Sequence, residues 1–224
     1  MTRENSGAEG WSAGSSAPVR VLWVRHGATA LSHEKRFSGS GTDPGIDEVG
    51  RAQLSALEPV LARVLADSAP DRIYVSPLRR TRESAAVLLG EDHPAPEVAP
   101  ELREMDFGSW EGLTFAEVLA ADPEGVARWQ ASAEQPTGGG ESMASVGERV
   151  LGWLTRTLEY AEPGETWLLV SHVTPIKCAV TAALGAPWTA LYRMELAPAS
   201  LTEIAYRRSE ASWVGSLRTF NLTG

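Results

Sequence analysis

The chain alternates short apolar runs with longer stretches in which apolar residues recur every three or four positions. Val19–Val24 (VRVLWV), Arg72–Val75 (RIYV) and Thr166–Val170 (TWLLV) are short and nearly continuous in apolar residues, the pattern of strands buried on both faces. Asp47–Asp67 carries Val49, Leu54, Leu57, Val60, Leu61, Val64 and Leu65 at helical spacing, with Pro59 placed to kink the helix. A second helix follows Val75 and runs to about Leu89, with Ser76 as its N-cap and Pro77 at its first position. Further helices are predicted over Thr114–Ala121, Glu124–Ala131, Ser142–Ala161 and Pro175–Leu184, the last ended by Gly185. Ser200–Tyr206 and Ser212–Phe220 alternate in polarity and read as late strands at a sheet edge. Arg25–Gly45 and residues 90–113 read as irregular. Strands alternating with helices predict an α/β fold of three layers, a mostly parallel central sheet with helices on both faces.

With 224 residues, 43% of them hydrophobic, the chain can build one such domain over residues 19–224. Residues 1–18, rich in Ser, Gly and Ala, read as a flexible tail. The tail has no apolar core of a signal peptide, and no apolar run reaches the length of a membrane span. The expectation is a cytoplasmic protein, monomer or homodimer, with no membrane partner. A net charge of -9 argues against general nucleic-acid binding, which needs basic surface. An anionic ligand would therefore require positive charge gathered in a pocket. The single cysteine, Cys178, excludes an internal disulfide and a Cys-based metal cluster, and its helix position assigns it to core packing.

That positive charge has a place to gather. Each predicted buried strand ends in a polar, cation-bearing segment: Val24 runs into Arg25-His26-Gly27, Val75 into Ser76-Pro77-Leu78-Arg79-Arg80, and Val170 into Ser171-His172. Open parallel sheets bind ligands beyond the carboxyl ends of their strands. Taken singly, each histidine could be structural and each arginine a solvated charge. If the strands are neighbours, however, arginines and histidines converge and repel one another unless an anion fills the site. Phosphate suits it, because arginine forks match phosphate oxygens.

These segments, with Leu102-Arg103-Glu104 before Asp106-Phe107-Gly108 and with Gly140-Glu141-Ser142, resemble the histidine phosphatase superfamily, of phosphoglycerate-mutase-like fold. The resemblance runs from Val19 to near the end of the chain. It implies a phosphatase that needs no metal or cofactor and attacks a small-molecule phosphate ester through a phosphohistidine. By resemblance, His26 is the nucleophile, Arg25 and Arg80 are phosphate arginines, and His172 is the second pocket histidine. Arg79 is left as a surface charge. Glu104 falls where the family keeps its proton donor, with Glu101, Asp106 and Glu111 as nearby competitors. Ser32 falls at a small polar phosphate contact. Val173 stands where the family usually has a glycine whose N–H approaches the phosphate, and Ala28 replaces the common acidic or amide residue. The His172–Lys177 segment is similar to a phosphatase domain that actinobacterial proteins fuse behind a ribonuclease H domain.

Two other functions stay open, a phosphoglycerate mutase and a non-catalytic phosphate-binding module. The mutases carry a Trp-Asn pair after Arg-His-Gly, where this chain has Ala30-Leu31-Ser32-His33. Residues 33–45 and 105–140 hold only Lys35, Arg36 and Arg128 as positive charges, which favours a monophosphate on a small polar or cyclic alcohol over a polyanion. Gly138–Gly140 reads as a turn into a helix capped by Ser142, with Glu141 at the pocket mouth. Trp110 lines either the entrance or a small core of its own loop. His33 and His93 read as solvated.

Overall fold

A computed structural model describes residues 16–66, 68–90, 95–210 and 212–224. Most of the expected tail and His93 lie outside those residues. The six strands are β1 (Val19–Arg25), β2 (Arg72–Val75), β3 (Glu97–Val98), β4 (Thr166–Ser171), β5 (Leu201–Arg208) and β6 (Trp213–Leu222). They form one sheet in the order β3-β2-β4-β1-β5-β6. Pairings β2·β3, β2·β4 and β1·β4 are parallel, and β1·β5 and β5·β6 antiparallel. The helices are α1 (Ala30–His33), α2 (Glu48–Leu65), α3 (Arg79–Leu89), α4 (Phe115–Ala121), α5 (Pro123–Ala131), α6 (Met143–Leu158) and α7 (Val173–Ala183).

The three layers follow from the apolar runs. Successive side chains of a strand point to opposite faces, so a continuous run feeds two cores. Val21, Trp23, Trp167 and Leu169 enter the core covered by α6 and α7, with Val150, Leu154, Ile176 and Ala179. Leu22, Val24, Leu168 and Val170 enter the opposite core, under α2 and α3, with Leu54, Leu57, Leu61 and Leu88. The fold is the expected α/β architecture.

The departures are local. α3 starts at Arg79, not Pro77. Its N-cap is Leu78, whose side chain has no acceptor to cap with, and the Ser76 hydroxyl lies 2.7 Å from His172. α7 starts at Val173, two residues before the expected Pro175. β5 is an interior strand between β1 and β6, so of these two late strands only β6 lies at an edge of the sheet. Leu201, Thr202, Ile204, Ala205 and Tyr206 are all buried, which a half-exposed alternation does not require. The excursion 90–113 contains β3 and two 3-10 turns, Pro100–Leu102 and Gly108–Trp110, and a third turn spans Trp188–Arg193. Pro59 lies within α2, which continues to Leu65. Among the described residues no helix is long and apolar enough to cross a membrane.

Candidate active site

The three cation-bearing strand ends are adjacent. β4 lies between β2 and β1, with Val75 opposite Val170 and Arg25 opposite Ser171. The ladders carry past the strand ends, His26 N–H donating to Ser171 O and Ser76 N–H to Val170 O. Gly27 follows His26 for a packing reason. A Cβ there would lie 2.6 Å from the Gly50 carbonyl oxygen and 2.9 Å from Leu54, so only glycine lets α2 approach the His26 segment this closely.

His26 is buried, and its Nδ1 lies 2.7 Å from the Gly27 carbonyl oxygen. A carbonyl only accepts, so Nδ1 carries the proton and Nε2 keeps its lone pair. Burial holds the imidazole well below its ordinary pKa, and the positive charges of Arg25 and Arg80 add to the effect, against a smaller opposing pull from the Gly27 carbonyl. His26 is therefore a neutral imidazole with one nitrogen anchored and the other available. The His172 ring lies against it, with centroids 5.1 Å apart.

Arg25 is pushed down to about 10 by burial; Glu104 opposes this shift and Arg80 adds to it. Its Nη1 donates to the Leu196 carbonyl, while its buried Nε has no hydrogen-bond partner among the described residues. Arg80 is 0% exposed. Its Nη1 donates to Thr42 O (2.9 Å) and its Nη2 to Gly39 O (2.9 Å) and Ser38 O (3.2 Å), again leaving Nε without a partner. His172 is lowered by burial and by the cations around it, Arg80 foremost, and its Nδ1 also lacks a partner. Ser76 Oγ accepts from Leu78 N–H at 3.4 Å and lies 2.7 Å from His172 Nε2. If Ser76 donates its hydroxyl proton to Nε2, the His172 proton stands on Nδ1. Two buried arginine N–H groups and a histidine ring nitrogen without partners among the described residues gather in one cluster, and an anion would satisfy the arginines, since orphaned buried donors are rare.

Glu104 is buried beside this cluster at the N-terminus of α7. Its Oε1 accepts from Met105 N–H (2.8 Å) and Thr174 N–H (3.2 Å), and Oε2 is 3.4 Å from the latter. Oε1 thus carries the shorter backbone bonds, and Oε2 shares only the longer one from Thr174 N–H. Val173 is the first residue of α7, so its N–H has no partner within the helix. It is not among the residues with positive φ, so the valine stands in glycine's place without backbone strain. Ser32 is on the pocket wall, and its hydroxyl closes the capping box of α1 with Thr29.

Arg25, His26, Ser32, Glu104, Val173 and Thr174 line a cavity of about 310 Å³. Lys35, Arg36, Phe37, Ser38, Phe107 and Phe115 complete its outer wall, while Arg80 and His172, both fully buried, are not among its lining residues. Arg36 is bound to Glu34 (2.5 Å) and Glu117 (2.9 Å), so its charge is already met. Arg79 pairs with Glu83 on the surface, as expected, and His33 is partly exposed beside Asp47.

Glu141 is not at the pocket mouth. It binds Arg149 (2.8 Å) and Arg103 (3.0 Å) and accepts from Asp106 N–H. Arg149 in turn donates to the carbonyls of Glu101, Arg103 and Glu104, so this pair clamps the turn that carries Glu104. Asp106 accepts from Gly108 N–H. Trp110 packs with Val118 and Val126, a small core of its own loop rather than an entrance wall. Cys178 is buried in the core, its thiol pushed up to about 12 by burial. Ser76, Arg149 and Glu111 were missed as parts of the site. For Ser76 the signal was available, because a serine directly after a buried strand stands at the ligand edge of the sheet.

Comparison with known proteins agrees with this geometry. Residues 21–217 match the family model described as "Histidine phosphatase superfamily (branch 1)". The chain is 40% identical, over all 224 residues, to a bifunctional protein of Mycobacterium tuberculosis, and it spans 59% of that protein's length. It is 32% identical to phosphoserine phosphatase 1 of Hydrogenobacter thermophilus, over 75% of this chain and 77% of the relative. A mycobacterial glucosyl-3-phosphoglycerate phosphatase superposes with a TM-score of 0.76 at 28% identity, covering 91% of this chain and 99% of the other. The strand-end histidines and arginines of this chain thus sit in a fold and sequence pattern shared with known phosphatases, and the chain belongs to branch 1 of the histidine phosphatase superfamily.

Proposed function

We propose that the chain is a phosphomonoesterase that hydrolyses a small-molecule monophosphate through a phosphohistidine on His26. The observation that carries this reading is the state of His26. It is a neutral imidazole fixed through Nδ1 to Gly27 O, with Nε2 available among buried arginine donors that lack partners. Nε2 attacks phosphorus as the P–O bond to the alcohol breaks, and the bond electrons leave with the alcohol oxygen. Protonated Glu104 supplies the proton that makes it a neutral alcohol. Arg25, Arg80, His172 through Nδ1–H and the Val173 N–H hold the phosphoryl oxygens, with Ser32 at the rim. They supply positive charge and hydrogen bonds where charge spreads in the transition state. Water, deprotonated by Glu104, then attacks phosphorus, breaks the P–N bond and regenerates His26 with inorganic phosphate.

The outer wall supports a substrate class. With Arg36 bound to Glu34 and Glu117, Lys35 is the one wall cation without an ion pair among the described residues, and Phe37, Phe107 and Phe115 present rings rather than a second cationic cage. This fits a monophosphate of a cyclic or aromatic alcohol better than a bisphosphate. Hydrolysis, not mutase chemistry, is the reading, and one experiment separates them. A panel of monophosphates is assayed for phosphate release, beside 3-phosphoglycerate with its bisphosphate cofactor assayed for isomerisation. Phosphate release that is abolished by His26→Ala supports the proposal. Isomerisation without net release overturns it.

A further inference from the structure

Glu111 lies outside the chemistry proposed above, yet it is wired to it through a single layer of peptide. The loop Ser38–Thr42 (SGSGT) is held between two opposite charges. On one side, Glu111 Oε2 accepts from Gly39 N–H (3.1 Å) and Thr42 Oγ1 (2.7 Å), and Oε1 accepts from Gly41 N–H (3.1 Å). On the other, Arg80 donates to the carbonyls of Ser38, Gly39 and Thr42. The Ser38–Gly39 peptide spans the gap. Its N–H end meets the carboxylate and its C=O end meets the guanidinium, so its dipole is aligned with both and each bond strengthens the other. The loop sequence is built for this closeness. A Cβ on Gly39 would fall 2.2 Å from Glu111 Oε1 and from the Met105 carbonyl oxygen.

We propose that Glu111 is a positioning residue for Arg80: by holding the Ser38–Thr42 loop it sets the direction of the guanidinium that receives the phosphoryl group. The three carbonyls hold Nη1 and Nη2, which leaves Nε without a partner among the described residues. A guanidinium on a long side chain has no such direction unless its acceptors are themselves fixed. Glu111 fixes them, at a distance of 31 residues along the chain from Arg80. The inference rests on the phosphate-site reading above.

The test is a double-mutant cycle of Glu111→Gln and Glu111→Ala with Arg80→Lys. It is read by the affinity for inorganic phosphate in calorimetry and by kcat/KM on p-nitrophenyl phosphate. Glu111→Ala is expected to weaken both by about 10- to 100-fold, the range seen when an outer hydrogen-bond partner of a ligating side chain is removed. Glu111→Gln, which keeps one acceptor oxygen, should fall in between. In the Arg80→Lys background, where no fork remains to be aimed, the same changes should cost less than threefold. If they multiply the Arg80→Lys loss in full, Glu111 only stabilises the fold and the proposal is wrong. It is equally wrong if both single variants behave as the unaltered protein. Should Glu111→Ala fail to fold, Glu111→Gln and Thr42→Val carry the cycle. If Arg80→Lys leaves phosphate binding intact, the phosphate-site reading itself fails, an outcome distinct from failure of the Glu111 coupling.

Discussion

Replacing Glu104 by glutamine isolates the proton from the scaffold. Both backbone N–H groups, from Met105 and Thr174, reach Oε1. A glutamine with its carbonyl oxygen in that place keeps both bonds and puts its NH₂ where Oε2 stood. Shape and position are retained and only the acid is lost. General acid catalysis contributes about 10²–10⁴-fold, which is about 2.7–5.5 kcal/mol of barrier at about 1.36 kcal/mol per tenfold. For an alkyl phosphate, kcat should therefore drop by that factor. KM should stay level, because the glutamine is neutral, as is the protonated Glu104 that meets the substrate, and it keeps the same place in the pocket. An aryl phosphate behaves differently. p-Nitrophenolate leaves with little help from an acid, so phosphorylation of His26 stays fast. Dephosphorylation still lacks its base and becomes limiting. Stopped-flow measurement should show a burst of p-nitrophenolate approaching one equivalent per site, followed by a slow steady state. Equal slowing of alkyl and aryl esters with no burst would remove Glu104 from the role of proton donor. Asp106 is committed to the Gly108 N–H, and Glu141 to the Asp106 N–H and two arginines, so that result would point to the substrate's own proton.

Other consequences can be checked in parallel. The folded state depresses the pKa of His26 and His172, so the unfolded chain binds more protons below its own histidine pKa near 6.5. Their contribution to stability is fully present above pH 6.5 and is lost as pH falls from there towards the folded pKa, at up to about 1.4 kcal/mol per pH unit for each histidine. Urea unfolding at pH 7 and pH 5 should show a steeper loss in the unaltered protein than in His172→Asn, and equal slopes would contradict this. Ser76→Ala removes one hydrogen bond worth about 0.5–1.5 kcal/mol, so kcat/KM should fall about 2- to 10-fold. An unchanged rate would mean that Ser76 does not set the His172 proton. Turnover should survive EDTA treatment, because the arginines carry the charge that stabilises the phosphoryl oxygens. Loss of rate with EDTA and recovery with Mg²⁺ would refute that.

The sequence disclosed what is local. A buried strand running straight into Arg25-His26-Gly27, Ser76–Arg80 or Ser171-His172 carries its chemistry at a fixed offset, and the adjacency of β1, β2 and β4 brought those groups together. Long-range partners were not legible. Glu101, Glu104, Asp106 and Glu111 look alike in a linear acidic stretch. Their different fates follow from which loops fold against them: Glu104 meets α7, and Glu111 meets residues 39–42. Glu141 was misplaced for the same reason, since its partner Arg149 lies on α6 and its acceptor role reaches back to Asp106. Ser76 was read as a cap because capping is the commonest use of a serine before a helix, whereas a histidine 96 residues away claims its hydroxyl. β5 read as an edge strand because alternation alone does not reveal a second neighbour.

The central claim is the covalent bond between phosphorus and His26. Enzyme mixed with labelled p-nitrophenyl phosphate, quenched within milliseconds in alkali and digested, should yield one labelled peptide. The account predicts an acid-labile, alkali-stable phosphate on Nε2 of His26, formed and lost at rates that sustain turnover and absent from His26→Ala. Turnover with no phosphoenzyme at any quench time, or a label on another residue, would contradict it.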